Sequence, residues 1–158
     1  VTREREDPGS GSADAGTAVG AVPSGPADEG EERALALAHR VFEHARSGRV
    51  RELCGYLDLG VPVNSTDSDG NTLLMLAAYH GHPRTVLALL ERGADPDRAN
   101  SRGQTPLAGA VFKGEVEVVA ALVGADADPY LGSPNALEAA RFFGREDLLE
   151  LLEVPEPD

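Results

Sequence analysis

The chain has 158 residues, 14 of them basic and 27 acidic, for a formal net charge of −13. That balance argues against nucleic acid, whose phosphates need a surplus of Lys and Arg, and against anionic membrane surfaces. Cys54 is the single cysteine, so no internal disulfide can form, and no apolar run reaches the roughly 18 residues of a membrane span.

The opening "VTREREDPGSG" lacks the apolar core of a signal peptide, and a cytoplasmic protein is expected. Thirteen of the basic residues are Arg and only Lys113 is Lys, a bias that fits a GC-rich genome. Residues 1–30 are rich in Gly, Ser, Pro and acid. They carry too little apolar surface to offset the entropy of ordering, and a disordered tail is expected. From residue 31 the composition changes. "EERALALAHRVFEHARSG" places Leu37, Val41, Phe42 and Ala45 at helical spacing and stops at Gly48. A shorter helix should follow and end near Gly60.

The pattern then repeats. Gly48, Gly81, Gly114 and Gly144 are separated by 33, 33 and 30 residues. Seven residues before each stands Val41, Leu74, Leu107 or Leu137. Five after stands Leu53, Val86, Val119 or Leu149, and eight after stands Tyr56, Leu89, Leu122 or Leu152. One helix–turn–helix unit is written four times, about 33–65, 66–98, 99–129 and 130–153, leaving 154–158 as a C-terminal tail. A single unit cannot bury both of its apolar stripes, so the units must stack. Gly, Pro, Asp and Asn clusters between them read as turns. Thr72 and Thr105 stand where a hydroxyl can cap a helix, and Pro106 and Pro83 suit a first helical turn.

"GNTLLMLAAYHGH" with "LLERGADP", and "GQTPLAGAVFKGE" with "LVGADADP", resemble the ankyrin repeat, over roughly residues 33–153. The resemblance implies an all-α solenoid of helix pairs joined by short β-hairpin loops, with a concave face of hairpins and first helices that grips another protein. Met75 and Ala108 replace the family's usual histidine, so the hydrogen bonds that histidine supplies should be missing. Leu73 stands where Pro is usual, and the last unit is three residues short. His82 falls where the family carries a structural histidine.

Catalytic patterns do not emerge. No G-x-S-x-G, HExxH or phosphate-loop motif occurs, the histidines lack zinc spacing, and Cys54 falls on an apolar helix face. No enzyme activity, cofactor or metal is expected. Carried over by register, the partner-binding positions are Ser68, Asp69, Asn71, Tyr79 and His80 in one repeat and Ser101, Arg102, Gln104, Phe112 and Lys113 in the next, with Phe142 beyond. Arg46, Tyr79, Phe112 and Phe142 share one column, two residues before each turn glycine. The aromatics there either contact a partner or shield the helix ends, with Phe142 or Phe143 closing the C-terminal cap. The expected function is that of a monomeric, non-catalytic adaptor or regulator holding a protein with a basic or mixed surface. The alternative is a structural subunit that self-associates or caps an assembly.

Overall fold

The computed structural model describes residues 29–153; the expected tail at 154–158 and all but the last two residues of the expected tail at 1–30 lie outside the described residues. Eight helices follow in chain order: α1 (Glu29–Ser47), α2 (Val50–Asp58), α3 (Leu73–Tyr79), α4 (Pro83–Glu91), α5 (Pro106–Lys113), α6 (Val116–Gly124), α7 (Ala136–Phe142) and α8 (Glu146–Leu152). Helix α1 starts two residues upstream of the boundary drawn from composition. Its first turns are solvent-exposed and carry a Glu29–Arg33 pair at 3.8 Å, the kind of surface contact that contributes only tenths of a kcal/mol. The compact repeat body begins at His39, midway along α1.

Local chemistry sets the helix starts. Thr72 Oγ1 accepts from Met75 N at 3.0 Å, and Thr105 Oγ1 accepts from Ala108 N at 3.1 Å. Asn135 and Glu138 form a reciprocal capping box at α7. Pro106 and Pro83 occupy first turns, where no amide hydrogen is needed. Gly48, Gly81, Gly114 and Gly144 all take the left-handed conformation that reverses each helix pair, with φ from 67 to 76°.

Stacking then dries the stripes. Helix α3 packs on α5 and α5 on α7, while α2, α4, α6 and α8 form a second row. Val41, Leu74, Leu107 and Leu137 are all buried, as are Leu53, Val86, Val119, Leu89 and Leu122. The stripe thins at the end of the described array: Leu148 is fully buried like Thr85 and Val118 in its register, while Leu149, in register with Val86 and Val119, is only half-buried, no described unit lying beyond α8 to cover it. Gly109 sets the closeness of α3 and α5, since a β-carbon there would lie 3.0 Å from Met75 Cε. The positions of the absent histidines thus hold buried apolar packing, Met75 and Ala108.

Among the described residues no named strand occurs. The interhelical loops instead close on isolated bridges, Thr66 with Thr72 and Gly132 with Asn135. Side chains stitch the loops together. Asn64 Oδ1 accepts from Asp95 N at 2.9 Å, and one period on, Asp97 Oδ1 accepts from Asp128 N at 2.8 Å. The last loop, shortened by three residues, keeps this link.

Candidate functional site

A groove of about 310 Å³ opens where the loop tips meet the C-terminal ends of α1 and α3. Its construction starts with Asp67 and Asn100, one repeat apart. Asp67 Oδ1 accepts from the backbone of Asp69 and Asn71, each at 2.9 Å. Asn100 Oδ1 does the same for Arg102 at 2.9 Å and Gln104 at 3.0 Å. Each side chain folds its own loop into a tight turn. Asn100 Nδ2 then donates to Asn71 Oδ1 at 2.8 Å and Gln104 Oε1 at 3.1 Å, so the buried amide locks adjacent loops in register. Ser101 N donates to the Asp69 carbonyl at 3.0 Å, joining the same two loops.

Met75, Leu76 and the half-buried Tyr79 line the groove from α3. His80 meets the Tyr79 ring edge-on at 5.5 Å, and Lys113 Nζ sits 4.9 Å from that ring's centroid, a cation–π geometry. Partial burial is the main cause that holds the His80 pKa below the usual histidine value. The neighbouring charges of Arg46, His82 and Lys113 add to it, against an opposing contribution from Glu43. Arg46 reaches the groove from the end of α1, with Nη1 3.2 Å from Glu43 Oε1 and Nη2 4.0 Å from Asp67 Oδ2.

Of the residues named from register, the groove gathers Asp69, Asn71, Tyr79, His80, Arg102 and Gln104. Ser68 and Ser101 are exposed on the loops outside its lining, and Lys113 touches it only through Tyr79. Phe112 and Phe142 stand apart. Both pack edge-on against Phe143, at 5.3 and 5.0 Å, in a cluster that stays largely exposed. The register did not point to Met75, Leu76 and Asn100, and it set Asp67 near the aromatic line and Arg46 in the column without assigning either to the site. The 33-residue spacing of Asp67 and Asn100, each followed two and four residues later by the amides it folds, was the available signal.

The family described as Ankyrin repeats (3 copies) matches residues 41–132, more than half of the chain. This chain belongs to the ankyrin repeat family. A Pseudomonas aeruginosa protein named for its ankyrin repeats is 45% identical over 50 residues, which is 32% of this chain. The matched segment spans only 29% of that relative's length. Ankyrin repeats are generally protein–protein interaction modules, non-catalytic as a rule. Among the described residues no group of three or more His, Cys, Asp or Glu side chains could hold a metal ion. No described helix is long and apolar enough to cross a membrane. His82, the turn histidine, donates from Nε2 to the Arg46 carbonyl at 2.8 Å, a structural bond between successive units.

Proposed function

We propose that this ankyrin repeat body is a non-catalytic adaptor or regulator that holds a protein partner against the loop tips and α3–α5. The observation that supports it most is the groove around Tyr79. An aromatic ring sits beside charged and amide side chains in a cleft whose walls are fixed by hydrogen bonds between loops. Rigid aromatic area rimmed by polar groups is the usual make-up of an interface hot spot. Preorganised walls lower the entropy lost on association. Work in the cytoplasm and a monomeric state belong to the same reading.

Affinity capture from native lysate with wild type and Tyr79→Ala/Phe112→Ala tests it. The double variant should lose the specifically captured protein while its circular dichroism is unchanged. Undiminished capture would overturn the reading. A self-associating subunit is the second reading, supported by the exposed cluster of Phe112, Phe142 and Phe143 at the C-terminal end. Sedimentation that changes with protein concentration and is corrected by Phe142→Ser would favour it.

A further inference from the structure

The groove's charges differ from those of the whole chain. The molecule is strongly acidic, yet cations surround Tyr79: Arg46 and Arg102 line the groove, and Lys113 lies over the ring. The acids present are not equivalent opposites. Asp67 is consumed internally, with Oδ1 accepting two backbone N–H groups and Oδ2 facing the Asn71 amide at 3.3 Å and Arg46. Asp69 is exposed. Arg102 is pinned by its backbone bond to Asn100, but among the described residues its guanidinium has no protein partner. It is therefore available to a ligand. Burial first, and then the neighbouring Arg46 and Lys113, hold His80 below the usual histidine range.

Resting on the proposed role of the groove, we infer that it selects an acidic, extended segment of the partner, whose carboxylates meet Arg102 and Lys113 beside the Tyr79 ring. A free guanidinium offers a planar pair of donors that matches a carboxylate, and the ammonium supplies a second point charge. A volume of about 310 Å³ holds one or two side chains rather than a folded loop. The partner's surface is then mixed, with an acidic stretch at this groove.

A carboxylate brought into the groove reverses the field at His80. The groups facing that ring are Tyr79 on its own helix, Glu43 and Arg46 from α1, His82 from the turn and Lys113 from α5, with Asp67, Asp69 and Arg102 across the groove. Occupancy should draw a proton onto His80, so that binding tightens from about pH 8 to about pH 6.

The test is selection from a displayed library of random dodecapeptides on the full chain, on Arg102→Glu/Lys113→Glu and on Tyr79→Ala. Wild type should enrich Asp- and Glu-containing peptides, and the charge-reversed variant should lose them by on the order of tenfold or more in affinity. His80→Gln should lose the gain between about pH 8 and about pH 6; a gain that persists in this variant would overturn the role given to His80. Selection of basic or uncharged peptides that still need Tyr79 would overturn this inference and leave the binding role standing. Failure to select any peptide that depends on Tyr79 would overturn both. Unaltered circular dichroism keeps the variants interpretable.

Discussion

His82 lies over Gly48: its Nε2 donates to the Arg46 carbonyl at 2.8 Å, and a β-carbon on Gly48 would stand 2.5 Å from its Nδ1. The relation recurs at the next two turns with a different side chain. Glu115 covers Gly81 and Arg145 covers Gly114, while Gly144 has no neighbour within 4 Å of its would-be β-carbon. The first three glycines thus serve a left-handed backbone and a close contact between units at once. Gly144→Ala isolates the first role and should cost about 1–2 kcal/mol for the left-handed alanine. Gly48→Ala adds the clash with His82 and should cost clearly more. Denaturant unfolding of the two variants checks the order; equal losses would show that the His82 contact carries no weight.

Leu107 on α5 is 1% exposed, between α3 and α7. Leu107→Ala should therefore cost about 2–5 kcal/mol, from lost transfer energy and the cavity left behind. Each unit dries its stripes only against its neighbours, so amide exchange should rise in α3 and α7 as well as in α5. Exchange confined to α5 would argue against that mutual dependence.

Asp126 takes φ 65° where the two preceding periods have Gly60 and Gly93, also at positive φ. A left-handed aspartate is strained, although its short polar side chain eases the strain. Asp126→Gly should raise stability, by about 0.5–1 kcal/mol after the greater freedom of glycine in the unfolded chain is subtracted. Calorimetry checks the sign.

His80 should titrate below the ordinary histidine value of about 6.5, as followed by its ring proton shifts in NMR. The folded state disfavours its charged form, so the unfolded chain binds that proton more readily. This group's contribution to stability is intact above the unfolded pKa and is lost as pH falls through the lower folded value. His80→Gln should flatten that part of the stability profile. A midpoint above the ordinary value would contradict the cationic surroundings described for the groove.

Much of the fold was legible because its cause is periodic. The turn glycines and the Leu74, Leu107 and Leu137 column each answer to one repeated constraint, a reversal or a stripe to be dried. Thr72 and Thr105 were readable for a local reason, their place just ahead of apolar runs. What escaped was set by context. Leu149 keeps the register of Val86 and Val119 yet is only half-buried, because no described unit lies beyond α8. Phe112 and Phe142 fall in register with Tyr79, yet Phe143, outside the column, draws them into a separate cluster. Asn100 reads as an ordinary turn residue in sequence, and its bond to Asn71 exists only once two loops lie side by side.

The central claim is that the partner rests on the loop tips and inner helices rather than on α4 and α6. Hydrogen–deuterium exchange of the full chain, alone and with its captured partner, tests this most directly. New protection is expected in residues 66–80 and 99–113, with α4 and α6 unchanged. Protection confined to residues 83–91 and 116–124 would contradict it.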